Sequence, residues 1–511
     1  MLRFTANALS NYSRMLLAIV ATMAITPRLI SALGAEAFGV WVLVNAAAGV
    51  LLLLDLGMGN AAIRSAAGTD AHARNRLIST LWTVSLIVVG AATLVLVVMM
   101  PWIPRFVGLT ADHAAVAIWV FVLVAARQVI VGQGLGIFRQ VLFGSNRLVE
   151  INVIQAITLV AQTVAIWIGL GHGLGLVGVA VIGLAAGTVE HLGYVVFAYR
   201  LVPELRVSPR LATMNDWREA RSLCLASFLM GLSGLVLLKT DPILVRAFLP
   251  LTAVAIYAIA LKIAENVLLL TKQLANALTP MIVQLAVAGD DARLRALLLT
   301  STKYLFLPAA LAAAGSAALG TDAIRWWVGN DFATAGPLLT ILLTAMAITI
   351  ACLPSASVLT QSGLHRLAGR ASLLGAFVNV GASAALAHWF GVFGIAGGTL
   401  VAAILVDAGM VIRLANRRYN ISSLEFGRRV VLPVALPVLL LWLTSTAIRA
   451  VAGHPDTLLR LALNATASAA AGVIGFVLTG VTADERGHVR ERLVAPLIGR
   501  LSGRVSDPVV S

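Results

Sequence analysis

Apolar runs of about twenty residues recur along this chain, from near residue 10 to near residue 480. A helix rises about 1.5 Å per residue and the hydrocarbon core of a bilayer is about 30 Å thick, so each run has the length of one crossing. In hydrocarbon the backbone must satisfy its own N–H and C=O groups, which a helix does. Composition agrees: 60% of residues are hydrophobic, 12% are charged and mean hydropathy is +0.95, whereas soluble domains are about a quarter charged. The fold expected is an all-α polytopic membrane protein of about fourteen transmembrane helices. They fall near 10–32, 36–63, 77–100, 113–137, 149–170, 175–199, 222–247, 251–277, 302–320, 335–358, 368–390, 392–412, 430–451 and 459–480.

Arginine sets the orientation. Alternate connections hold Arg64, Arg74 and Arg76; Arg139 and Arg147; Arg200, Arg206, Arg210, Arg218 and Arg221; Arg293, Arg295 and Lys303; Arg366 and Arg370; and Arg413, Arg417, Arg418, Arg428 and Arg429. Arg3 and Arg14 at one terminus, and Arg486 to Arg504 at the other, belong with them. The opposite connections hold few basic residues, so the rich side, with both termini, is expected in the cytoplasm. The net charge of +15 is read this way, and nucleic acid is not an expected partner. Anionic lipids of the inner leaflet are, through the arginine-rich tail 481–511. The basic stretch near 200–221 is expected to form a surface helix, with Trp217 at the interface. Cys224 and Cys352 lie in apolar runs at a spacing that suits neither a metal site nor a disulfide. No cleavable signal peptide is evident.

An internal repeat divides the chain. The stretches 33-LGAEAFGVWVLVNA-46 and 249-LPLTAVAIYAIALK-262 align at an offset of 216, and so do 175-GLVGVA-180 and 391-GVFGIA-396. Two distant blocks at one offset imply two six-helix lobes in the same orientation, a transporter architecture with its site between the halves. The expected division is an N-lobe at 1–200, a basic linker at 201–221, a C-lobe at 222–418, a two-helix appendage at 419–480 and a tail at 481–511.

TPRLISALGAEAFGVWVLVNAAAGVLLLLDLGMGNAAIR resembles the opening of the Wzx-type polysaccharide flippases, a branch of the multidrug/oligosaccharidyl-lipid/polysaccharide exporter superfamily. KTDPILV followed by VAIYAIALKIAE, AIRWWVGNDFATAGPLLTILL, and VNVGASAALAHWFGVFGIAGGTLVA continue the resemblance over nearly the whole chain. It implies a bacterial inner-membrane protein that moves an undecaprenyl-diphosphate-linked oligosaccharide by alternating access, in surface polysaccharide synthesis. It also implies a cationic cavity between two lobes, and polymerase machinery as a partner. Many such flippases have twelve spans, and the lipid II flippases have fourteen.

Charged residues inside the spans are the candidate site, because a charge deep in a bilayer costs several kcal/mol unless it faces protein or water. The chain has four lysines, and Lys239, Lys262 and Lys272 fall in the seventh and eighth spans. Arg127, near the middle of the fourth span, is too deep to snorkel. Guanidinium and ammonium groups suit phosphate oxygens, so Arg127 facing Lys239 and Lys262 would form a cationic cavity for a diphosphate. The plainer alternative for Arg127 is a structural ion pair. Arg28, after Pro27, is either a snorkelling residue or a substrate contact at the outer gate. Asp241 and Glu265 are candidate partners of the lysines, with Asp241 alternatively touching water where Thr-Asp-Pro loosens its helix. Asp55, Glu190 beside His191, and Asp407 are the other intramembrane acids. Each could pair with an arginine or carry a coupling H+ or Na+.

No catalytic residue, resident metal or other cofactor is expected. The chain has no GxxxxGK[ST] phosphate loop, and its histidines lack metal-ligand spacing. Two rival functions remain. A cation-coupled multidrug exporter would share the lobes, but buried cations repel a cationic drug. A polysaccharide polymerase or ligase would need a long outer loop, and the outer loops here are short.

Overall fold

The computed structural model describes residues 2–68, 70–102, 111–455 and 457–481. Nearly all of them are helical, and no strand occurs among the described residues. Twelve helical stretches are long and apolar enough to cross a membrane by length and composition. One of them, Arg366–Arg418, runs 53 residues, about 80 Å if straight. It breaks at Gly391, where φ is 56° and ψ −131°, a conformation glycine adopts freely, and so holds two crossings. A further helix of crossing length, Met214–Phe248, lies outside those twelve. The described residues thus carry the fourteen expected crossings.

Contacts divide the chain into two compact units. Met1–Lys262 with Ser372–Ala402 form one, and Ile263–Ala371 with Ala403–Ser511 the other. The first unit begins with α1 (Leu2–Leu33), α2 (Ala35–Gly49), α3 (Met58–Ala66), α4 (Ala71–Met99) and α5 (Ala111–Ala126). It continues with α6 (Gly134–Gly144), α7 (Leu148–Gly171), α8 (Leu176–Leu201) and α9 (Met214–Phe248). α1 packs on α7, α2 on α5 and α9, α3 on α6, and α8 on α5, α6 and α7. A core of Ile78, Leu81, Phe138, Val141, Leu142 and Tyr194 joins α4, α6 and α8.

The expected second span, 36–63, is not one helix. α2 gives way to a 3₁₀ turn at Val50–Asp55. Leu56 (φ 47°) and Gly57 (φ 76°) are then both left-handed, and α3 begins at Met58. Gly57 is held to glycine twice over. Its φ favours glycine, and a Cβ there would stand 2.2 Å from the carbonyl oxygen of Cys224 on α9.

The linker differs from expectation as well. From 202 to 213 it is a strap rather than a helix, with one short 3₁₀ turn at Pro209–Leu211, and α4 holds it, while 214–221 form the start of α9. Arg74 Nη2 donates to Pro203 O at 2.7 Å and Asn75 Nδ2 to Glu204 O at 2.6 Å. The N–H of Ser208 donates to Ser79 Oγ at 3.1 Å, and that of Thr213 to Thr80 Oγ1 at 2.9 Å. Arg76 pairs with Asp216 at 2.9 Å. Backbone groups that water would otherwise satisfy are thus tied to one helix. Thr213 caps α9 by accepting from the Asp216 N–H, and Trp217 is half-buried against the neighbouring core.

α10 (Leu251–Ala277) crosses the division at Lys262, and α11 (Thr279–Ala288), α12 (Asp291–Val328) and α13 (Ala335–Leu359) follow. α14 (His365–Ala402) leads into a π-helical segment, Ala403–Ile412. Then come α15 (Arg413–Arg418), α16 (Ser423–Phe426), α17 (Leu432–Ala452) and α18 (Leu458–Thr479). In the second unit α12 packs along α13, and the α17–α18 hairpin packs on α12. α12 grips the hairpin near both of its own ends. Lys303, expected in a connecting loop, is instead buried and donates to Gly480 O at 2.8 Å, a cation at the carbonyl end of α18. At the far end the buried Asp322 lies 3.6 Å from Arg449 and 3.4 Å from His454.

Candidate functional site

The fourth span positions the site. Between α5 and α6 it passes through a π-helical segment, Arg127–Gln133. Such widened turns leave carbonyls poorly paired within the helix, and α4 supplies donors. Ser85 Oγ donates to Gln133 O at 3.0 Å and Trp82 Nε1 to Gly134 O at 2.8 Å. Beside this segment is a cavity of about 540 Å3 within the first unit, lined by Arg127, Arg139, Asp55, Glu190 and His191. Asn45, Gln128, Gln133, Gln140 and Trp41 contribute further to its wall.

Among the described residues, Arg127 and Arg139 have no hydrogen-bond acceptor and no carboxylate within ion-pairing distance. The structural ion pair weighed for Arg127 is therefore absent among them. The nearby acid is engaged elsewhere: Glu190 Oε1 accepts from Tyr194 OH at 2.6 Å. Arg127 and Glu190 still interact electrostatically, and Arg14 of α1 joins the cluster through Arg139, Tyr194 and Glu190. His191 Nδ1 lies 2.8 Å from Gly187 O. A carbonyl can only accept, so that nitrogen carries a proton. The cavity wall thus carries two guanidinium groups, Arg127 and Arg139, beside Asp55 and Glu190, and both keep their N–H groups free for an anion among the described residues.

Asp55 is placed by the broken second span. Its carboxylate accepts from the Gly59 N–H at 3.2 Å through either oxygen, which stabilises the first turn of α3. Its partner is thus the terminus of α3 rather than an arginine.

Of the remaining candidates, Asp241, Lys262 and Arg28 are not among the residues that line this cavity. Asp241 is buried on α9, which runs unbroken through Pro242. It accepts from Tyr257 OH at 2.6 Å and from Thr399 Oγ1 at 3.3 Å, and Asn379 Nδ2 donates to Thr399 at 3.0 Å. Asp241 therefore sits in a polar network rather than at a loosened, wet end. Lys239 lies on α9, with its side chain outside the described residues. Lys262 is exposed on α10 and Glu265 is half-buried, and no ion pair among the described residues joins them. Arg28 stacks over Trp167, 5.8 Å from the ring centre, beside Gly171. Asp407 lies in the second unit's π segment and accepts from Thr349 Oγ1 at 2.7 Å.

Sequence reasoning assigned Arg14 to the terminal tail and Arg139 to a loop, and it passed over Gly183 and Gly187. Arg14 belongs to α1, well inside the first spanning stretch. The fourth stretch runs to Gly144, seven residues past its expected end at 137, and so takes in Arg139. The run of Gln128, Gln133, Arg139 and Gln140 was the available sign of a polar helix face.

A family model described as polysaccharide biosynthesis protein matches residues 4–286. No curated protein matches the chain. Among solved structures, a lipid II flippase, MurJ, in an inward closed conformation is similar at a TM-score of 0.70 and 11% identity, over 96% of this chain and 99% of that one. An inward-facing multidrug resistance MATE family transporter of the MOP superfamily is similar at 0.64 and 18%, over 80% and 96%. A Vibrio cholerae MATE transporter, VcmN, in its bent form is similar at 0.52 and 18%, over 82% and 99%. At these identities the likeness is one of fold.

Proposed function

We propose that this chain, which belongs to the polysaccharide biosynthesis protein family, is a flippase for a lipid-linked oligosaccharide. The observation that carries the reading is the pair of unpartnered guanidinium groups, Arg127 and Arg139, in a cavity within membrane-spanning helices. A cation left without a carboxylate in such a place needs an anionic visitor. A diphosphate suits it, because each guanidinium presents a planar fork of N–H donors to phosphate oxygens. Asn45, Gln128, Gln133 and Gln140 can bond sugar hydroxyls, while the lipid tail stays in hydrocarbon. The bilayer would be the bacterial inner membrane, and the substrate an undecaprenyl-diphosphate-linked repeat unit. The two six-helix lobes would rock around the head group, and polymerase machinery would receive the product. The basic tail would rest on anionic inner-leaflet lipids.

Coupling to H+ or Na+ belongs to the same proposal. The Asn379 amide oxygen is buried and accepts no hydrogen bond among the described residues, and Asp241 and Thr399 lie in the same network. A carboxylate, a hydroxyl and an amide oxygen are donors suited to a hard cation.

Deleting the gene and extracting the inner-membrane lipids tests the reading. Lipid-linked repeat units should accumulate facing the cytoplasm while surface polysaccharide is lost. An unchanged lipid pool with new drug sensitivity would favour a multidrug exporter.

A further inference from the structure

Arg127 lies along a neighbouring helix. On α8, Gly183, Gly187 and Glu190 are spaced four and three residues apart, on one face. A Cβ on Gly187 would stand 2.8 Å from Arg127 Nε, 3.0 Å from Cγ and 3.3 Å from Cδ. A Cβ on Gly183 would stand 3.4 Å from Arg127 Nη1. The stem and head of the arginine therefore fill a two-glycine trough, and a methyl group at 187 cannot share that space. Glycine is a poor helix former, and in membranes a glycine face ordinarily lets another helix approach. Here the three atoms nearest the Gly187 Cβ all belong to the Arg127 side chain, and the Gly183 Cβ meets only the side chains of Arg127 and Gln162. What fills the trough is a charged side chain of the cavity wall.

We propose that Gly183 and Gly187 are positioning residues for head-group recognition. They let Arg127 lie flat on α8, in the field of Glu190, so that its unpartnered N–H groups line the cavity without crossing it. A side chain at 187 would lift the guanidinium into the volume the head group needs. The inference rests on the head-group reading of this cavity, and it adds what sets the reach of its central cation.

The test uses the purified full chain in detergent micelles. Geranyl diphosphate is the probe, followed by tryptophan fluorescence, with Trp41 in the cavity wall. Arg127→Ala, Gly187→Ala, the double variant and Gly193→Ala are compared, each with its melting temperature. Gly193 is also on α8, but a Cβ there would meet the side chain of Ile154. Arg127→Ala should weaken binding about tenfold or more, the usual effect of losing a charge-assisted hydrogen bond. Gly187→Ala should weaken it about three- to tenfold, yet change nothing further once Arg127 is alanine, because contacting residues are non-additive. Gly183→Ala, with the longer contact, should give a smaller loss of the same sign, and Gly193→Ala none. A role confined to packing would instead lower the melting temperature in both backgrounds and leave binding unchanged. Wild-type binding by Gly187→Ala while Arg127→Ala is impaired would overturn the trough alone, as would equal losses with and without Arg127. Normal binding by Arg127→Ala would remove the head-group reading and this inference together.

Discussion

At the scale of single residues, the consequential feature is charge without a partner. Arg139→Ala should reduce polysaccharide export about as strongly as Arg127→Ala, roughly tenfold or more, with normal protein in the membrane fraction. Quantitative blotting beside a surface-polysaccharide assay checks this, and full export in Arg139→Ala would remove that residue from the site. Arg28→Ala should spare export more than either, since Arg28 leans on Trp167 and does not line the cavity. Arg127, Asp55 and Glu190 were legible because a charge in an apolar run stands out. Arg139 was not, because its run of hydrophobic residues ends before it. In an uninterrupted α-helix, twelve residues would leave Arg127 and Arg139 about 120° apart around the axis. The π segment winds about 18° less per residue, so its six steps cancel most of that angle. Local hydrophobicity does not signal such a turn. It depends on donors from Trp82 and Ser85, far away in sequence.

Elements show the same division between what is local and what is borrowed. Fourteen crossings could be read from length and hydropathy alone, but the break in the second span could not. The break needs Gly57 against the α9 backbone, a contact between residues far apart in the chain. Gly57→Ala should therefore disturb more than a turn, lowering the melting temperature, while Gly90→Ala, with open space around it, should not. The start of α4 is set locally. Asp70 accepts from the His72 and Ala73 N–H groups, and those bonds hold its carboxyl below the usual carboxylate range. With the folded value depressed, its stabilisation of the helix end is present above the unfolded value. It is lost as pH falls through the folded one. Amide exchange at His72 and Ala73 should speed up below about pH 4, and Asp70→Asn should abolish that acid dependence.

For the whole molecule, each unit places an intramembrane charge in a π segment, Arg127 in one and Asp407 in the other. The α17–α18 hairpin belongs to its unit through buried polar anchors as well as apolar packing. Asp322→Ala would leave Arg449 in its place without a carboxylate, a change that costs about 3–5 kcal/mol for buried pairs. Loss of heat stability in detergent, before any loss of substrate binding, is the expected order. A reporter fused after residue 480 should read cytoplasmic, as the arginine asymmetry requires. The strap ahead of α9 has its own consequence. Its carbonyls at Pro203 and Glu204, and its N–H groups at Ser208 and Thr213, are held by side chains of α4, so its shape depends little on covalent continuity. Leu211 is exposed at its crest, and a polypeptide made in two pieces that meet there would keep both cut ends seated. Such a protein could be split between two genes, and each piece would still find its place.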